Sequence, residues 1–308
     1  MIMKSSNKSI FCGCLIAICV IAQSSALPSS NSCSNTFSGP KNRTILSPGY
    51  PNNYANGEFC NYAIQLPPGE TVKMTFRNAS LEHFEEQIVD YVLLFDGKDC
   101  MSKRIAAVVN SSIPTYVSSG NQMTALFISD ITIPKGPFEA QFSKVTNETA
   151  TKPVPPFPGN KIMENCGQEL SDDSGIISYH ASGGYNHLCI WRITVEGKKR
   201  IQISFDTIQI ASLGDWIRVL DGSDCGADVM YYIGGQETNW PPTLTSTSNA
   251  MIIVFSSSSG SLTDVIEATY SSVSESRTNS VSVGRVLSEA HGKFHCTPCP
   301  YVNVPPAR

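Results

Sequence analysis

Cysteines and loop carboxylates are the residues of this chain best placed to do chemistry, and both recur in register. Cys60-Asn61-Tyr62, Phe76, Asp90 and Asp96-Gly97-Lys98-Asp99-Cys100 are answered later by Cys189-Ile190-Trp191, Phe205, Asp215 and Asp221-Gly222-Ser223-Asp224-Cys225. The Cys-to-Phe step is sixteen residues and the Asp-to-Asp-Gly step six residues in both copies. The stretch from the Phe to the first Asp is four residues shorter in the second copy, and Glu82 stands in it only in the first. Thiols can form disulfides, ligate metal or cycle in a redox motif. Cys296-Thr297-Pro298-Cys299 beside His295 supplies too few ligands for zinc and no thioredoxin-like setting, so structural disulfides are expected. His83, His180, His187, His291 and His295 form no metalloprotease helix motif. No nucleophile elbow, phosphate loop or glycosidase-type carboxylate pair stands out, so the expectation is a protein without enzymatic activity.

A repeat of this kind means two versions of one domain. The 308 residues suit two domains of ordinary size plus a tail. Hydrophobic content of 41% and charged content of 16% fit a globular chain, and a net charge of −4 argues against nucleic acid as a partner. Val72–Phe76 and Ile201–Phe205 alternate with period two, as half-buried strands do. Tyr91–Phe95, Thr124–Ile128, Trp216–Leu220 and Met251–Phe255 are short, nearly continuous apolar runs suited to strands buried inside a sandwich. Turn punctuation such as Asp96-Gly97 separates them. An all-β chain of antiparallel β-sandwiches follows. Lys152–Gly159 is too proline-rich for a helix or central strand and reads as an extended linker. The expected division is a signal peptide at 1–26, domain 1 at 33–144, a Pro-rich linker at 145–165, domain 2 at 166–272 and a flexible tail at 273–308.

The N-terminus reads as a secretory signal, with Lys4 and Lys8 before the apolar run Ile10–Ala22 and a small-residue cleavage site at Ala26. No later stretch is apolar and long enough to span a bilayer. Of eleven cysteines, Cys12, Cys14 and Cys19 leave with the signal, and eight remain for an oxidising compartment. Asn42, Asn78, Asn110 and Asn147 head glycosylation sequons, all in the first half. A secreted, extracellular glycoprotein is expected.

Both copies resemble CUB domains. The first carries Cys33, Ile45-Leu46-Ser47-Pro48-Gly49-Tyr50-Pro51-Asn52-Asn53-Tyr54, Cys60-Asn61-Tyr62, Leu81-Glu82, Val89-Asp90-Tyr91, Asp96-Gly97, Phe127-Ile128-Ser129-Asp130 and Gly136-Pro137-Phe138. The second keeps Cys166, Ser174-Gly175-Ile176, Cys189-Ile190-Trp191, Asp215 and Asp221-Gly222 but lacks the Ser-Pro-Gly-Tyr-Pro element. The resemblance implies two antiparallel, jelly-roll-like sandwiches and the disulfides Cys33–Cys60 and Cys166–Cys189. The family's second disulfide is excluded, because Ile88 and Leu213 hold the required positions. Cys100, Cys225, Cys296 and Cys299 are left with three connectivities, or bonds to another chain.

The first copy resembles the calcium-binding CUB type, which implies Ca²⁺ ligands at Glu82, Asp90 and Asp130. Ca²⁺ needs six to eight oxygens, so carbonyls near Ile131 and Thr132 and waters would complete the shell. The second copy has no acid in Gln209–Gly214 and serine where the first has Asp130, so it is expected to be metal-free. The leading expectation is a secreted binding protein that recognises an extracellular or cell-surface protein, a basic side chain of which would dock on the acidic calcium site. An accessory chain of an extracellular protease system and a disulfide-linked matrix component are the alternatives. Glycan binding ranks last, given the acidic pI of 5.7.

Overall fold

The computed structural model describes residues 33–39, 42–84, 87–110, 115–132, 136–145, 166–183, 186–235 and 240–274. The signal segment, the prolines of the linker, Asn147 and the tail with Cys296 and Cys299 lie outside the described residues.

The described residues are all-β. Domain 1 runs β1 (Asn35–Ser38), β2 (Arg43–Leu46), β3 (Phe59–Gln65), β4 (Thr71–Ala79), β5 (His83–Phe84), β6 (Gln87–Ile88), β7 (Tyr91–Asp96), β8 (Lys103–Val108), β9 (Thr115–Val117), β10 (Gln122–Ile128) and β11 (Phe138–Val145). Domain 2 runs β12 (Glu169–Leu170), β13 (Ser174–His180), β14 (His187–Thr194), β15 (Arg200–Gln209), β16 (Trp216–Asp221), β17 (Asp228–Gly234), β18 (Leu244–Thr245), β19 (Ala250–Ser257) and β20 (Val265–Val273).

Each domain packs a five-stranded sheet on a four-stranded one. The orders are β1-β3-β10-β7-β8 on β2-β11-β4-β9, and β12-β14-β19-β16-β17 on β13-β20-β15-β18. The pairings are antiparallel except β1 with β3 and β12 with β14. Alternation sets the inner faces: Val72, Met74 and Phe76 of β4 enter the first core, and Ile201, Ile203 and Phe205 of β15 enter the second. In both domains the register slips at the residue after the repeated Phe, a β-bulge kept in both copies. The repeated Asp-Gly step is structural: the Asp96 and Asp221 carboxylates accept the Ser119 and Thr247 N–H groups at 2.7 and 2.9 Å.

The two sandwiches belong to one compact unit. A third core lies between them. From domain 1 it takes Phe59, Tyr91, Leu93, Phe95, Leu126 and Ile128; from domain 2, Leu188, Ile190, Trp216, Leu220, Ile252 and Val254. The alternate residues of the same strands, such as Val92, Leu94, Ile217 and Val219, face their own domain's core. The layers therefore stack four-five-five-four, with both five-stranded sheets covered on both faces. That explains the nearly continuous apolar runs, since a strand buried on two sides has no solvent face to alternate with. Each fully buried Leu, Ile, Val or Phe contributes roughly 1.5–3 kcal/mol, so this seam is a core in its own right.

Disulfides join Cys33 to Cys60, Cys166 to Cys189 and Cys100 to Cys225. Of the open pairings for the last four cysteines, the structure selects the bond between domains, with Cys100 and Cys225 3% and 0% exposed. The sequence offered an extended linker between two sandwiches; the structure adds that the sandwiches are docked and covalently stapled.

Candidate metal centre

The acids of the first domain meet because of strand register. β7 and β10 are antiparallel neighbours with Tyr91 opposite Ile128, so Asp90, just before β7, and Asp130, just after β10, emerge at the same sheet end. Glu82 follows β4, and its carbonyl accepts the Val89 and Asp90 N–H groups at 3.3 and 3.0 Å, folding the β5–β6 hairpin back so that Glu82 and Asp90 adjoin. Oxygen atoms of Glu82, Asp90 and Asp130 all lie within 4.8 Å of one another. The three residues are only 2%, 1% and 3% exposed, which sets them apart from ordinary acids on a solvated loop.

Donors hold part of this oxygen set. Tyr54 Oη donates to Asp90 Oδ2 at 2.6 Å, and the Asp130 N–H donates to Asp90 Oδ1 at 2.9 Å. The Thr132 N–H and hydroxyl reach Asp130 Oδ1 at 2.7 and 2.6 Å, and that hydroxyl also lies 3.3 Å from Glu82 Oε2. Asp130 Oδ2 is buried with no hydrogen-bond partner among the described residues. Burial, helped by the charges of Asp130 and Glu82, outweighs the Tyr54 and Asp130 hydrogen bonds and leaves the Asp90 carboxyl pushed up to about 7. Asp130 is raised too, chiefly by burial. Three carboxylates from three loops, one with an unpartnered oxygen, fit a hard divalent cation. A bound Ca²⁺ would supply the positive charge that the packed acids lack.

The second domain fills the equivalent place with hydrogen bonds. Asp215 Oδ1 accepts the Ser258 and Ser259 N–H groups at 2.8 and 3.3 Å, and Oδ2 accepts the Ser259 hydroxyl at 2.7 Å. Asp264, 1% exposed, accepts the Ala211 N–H at 2.9 Å and the Ser257 hydroxyl at 3.2 Å. Serine donors here do the work that a cation would do in domain 1.

The structure separates the other candidate residues clearly. Glu58 lies with Cys33 and Cys60, but those sulfurs form a disulfide and offer no thiolate. Asn42, Asn78 and Asn110 are exposed, as sugar attachment requires. Cys100 and Cys225 bond each other and so are unavailable to cross-link another chain. Sequence reasoning missed Tyr54, although it closes the Ile45–Tyr54 run, and it missed the role of Arg218. A lone Arg inside Trp216-Ile217-Arg218-Val219-Leu220 was the available signal, since a charge in a buried strand needs a partner. Arg218 is 1% exposed, and its guanidinium carbon lies 4.7, 4.8 and 5.3 Å from the Phe59, Trp216 and Tyr232 ring centres. Burial lowers its pKa to about 10.

Two sandwiches of one design, each with a disulfide into its five-stranded sheet, define a duplicated β-module. A family model of the CUB domain matches residues 33–142 and 166–270, and the chain belongs to that family. Human Tolloid-like protein 1 is 27% identical over 195 residues, covering 59% of this chain and 17% of that protein. Rat cubilin is 27% identical over 234 residues, covering 74% of this chain and 6% of that protein. The chain thus spans a small part of each relative's length. The solved CUB1-EGF-CUB2 domain of human MASP-1/3 aligns over 75% of this chain and 99% of that one, with 17% identity and a TM-score of 0.30. CUB domains are non-enzymatic interaction modules, and their occurrence in these relatives suggests a role in extracellular protein interaction. Among the described residues no helix is long and apolar enough to cross a membrane.

Proposed function

We propose that the protein is a secreted, non-enzymatic binding protein whose tandem CUB domains recognise an extracellular or cell-surface protein, with Ca²⁺ held in domain 1 by Glu82, Asp90 and Asp130. The observation that carries this reading is the convergence of three buried acids with Asp130 Oδ2 unpartnered among the described residues. An ion there cross-links the loops after β4, before β7 and after β10, and makes their outer surface rigid. Three carboxylates around one dication leave a net negative charge, which draws a Lys or Arg of the partner to the rim of the site.

Calorimetric titration of the full chain with CaCl₂ tests it. One site per chain is expected; Asp130→Ala abolishes it and Asp206→Ala, at an exposed position of β15 in domain 2, leaves it intact. No binding to the unsubstituted chain, or unchanged binding to Asp130→Ala, overturns the assignment. Partner capture from extracellular fluid should then be lost on chelation.

A further inference from the structure

Domain 2 grips the loops that carry the acids of domain 1. A Cβ added at Gly214 would stand 2.8 Å from Asp130 Oδ2 and 3.0 Å from Ser258 Oγ, so the unpartnered oxygen of Asp130 faces the backbone of the other domain. The N–H of Ile88, two residues before Asp90, donates to Asn186 Oδ1 at 2.6 Å. The hydroxyl of Tyr91, the residue after Asp90, lies 3.0 Å from Ser256 Oγ. Arg218 Nη2 donates to the Gly57 carbonyl at 2.6 Å, and the N–H of Gly57 donates to the Asp130 carbonyl at 2.6 Å. One residue, Gly57, thus joins the buried interdomain guanidinium to the loop of Asp130.

The other end of the seam is closed covalently. β7 runs from Asp90 towards Cys100, and β16 runs from Asp215 towards Cys225. Six residues of strand span about 20 Å. The cystine therefore ties one end of the interdomain core, and the acid loops lie at the opposite end.

We infer that Gly214, Asn186 and Arg218 of domain 2 are positioning residues for the cation site of domain 1, so that cation binding and interdomain docking form one coupled equilibrium. The inference rests on the calcium reading above and adds a second domain to it. Coupling is reciprocal: docking that holds the acids together raises cation affinity, and a bound cation holds the docked arrangement by the same factor. If domain 2 merely abutted domain 1, substitutions in domain 2 would leave cation affinity unchanged.

Full-chain calorimetry with CaCl₂ provides the test. Gly214→Val places atoms against Asp130 Oδ2, and Asn186→Gly removes the acceptor for Ile88 while tolerating the φ of 66° at that position. Each is expected to weaken Ca²⁺ binding roughly tenfold, within the usual range of intramolecular coupling. Ile176→Ser, at a β13 position 69% exposed, is expected to change nothing. A second measurement needs no substitution in domain 2. The Cys100–Cys225 bond is buried in the seam, so its reduction by dithiothreitol, followed by alkylation and mass mapping, reports undocking. CaCl₂ should slow that reduction severalfold, and Asp130→Ala should remove the effect. Unchanged affinity in both domain 2 variants together with calcium-insensitive reduction overturns the coupling and spares the calcium reading. Absence of Ca²⁺ binding to the unsubstituted chain overturns both. If a variant fails to fold by circular dichroism, the reduction rate of the unsubstituted chain decides alone.

Discussion

Replacing both Cys100 and Cys225 by alanine isolates the contribution of the interdomain staple. The two residues are 125 apart in sequence, and the Cys166–Cys189 bond, which bridges 23 residues, lies inside the loop they close. The effective loop is therefore roughly 100 residues, for which closure entropy in the unfolded chain amounts to about 5 kcal/mol. Alanine is preferred to serine because both side chains are buried and a hydroxyl would need a partner there. A change of 1 kcal/mol moves Tm by about 2–4 °C in a chain of this size, so the double variant should melt roughly 10–20 °C lower by scanning calorimetry. The loss should fall on the seam first, because the cores around Phe76 and Phe205 remain intact. A Tm decrease below about 3 °C would refute the reasoning, since it would mean that the bond closes no long loop across a native interface.

Arg192→Ala tests the ion pair between the domains. Arg192 Nη1 lies 2.8 Å from Asp99 Oδ2 across the seam, with side-chain exposures of 17% and 7%. Burial pulls the Asp99 carboxyl up, but the hydrogen bond and charge of Arg192, with donors from Met101 and Ser102, hold it below the ordinary carboxylate value. A depressed acid contributes stability that is present above its unfolded pKa, near pH 4, and lost as pH falls through the folded value. The variant should cost about 2 kcal/mol at pH 7 and show a shallower stability loss below pH 4, read by denaturant melts across pH. Leu126→Ala, at a fully buried residue facing domain 2, should cost about 3 kcal/mol in the same melts; a cost near zero would deny the third core. Protein secreted from eukaryotic cells should lose mass on enzymatic deglycosylation, with Asn42, Asn78 and Asn110 converted to Asp; no conversion at any of the three refutes the sequon reading.

Much of the fold was legible because its signals are local or repeated. Turn residues, period-two strands and the paired Cys, Phe and Asp-Gly landmarks all leave marks within a few residues of chain. The acids Glu82, Asp90 and Asp130 were legible through family resemblance, but their burial and the open oxygen of Asp130 were not. Those depend on how three loops close over one another and on a glycine more than eighty residues away. Thr132 was expected near the site through its carbonyl, but its hydroxyl and that of Tyr54 were passed over, because a hydroxyl becomes part of a site only when folding aims it at a carboxylate.

By itself the sequence determined that this chain is a duplicated, disulfide-bearing β-module with an acidic set in one copy alone. Alternation, turns and repeat spacing impose that much on any fold the chain adopts. Only the tertiary structure decided that the two copies share a third core, that Cys100 pairs with Cys225, and that Arg218 and Gly214 of one domain reach the acid loops of the other. An apolar run carries no mark of what covers its second face, and a cysteine carries none of its partner. Both are settled when two sheets meet, through contacts between residues far apart along the chain.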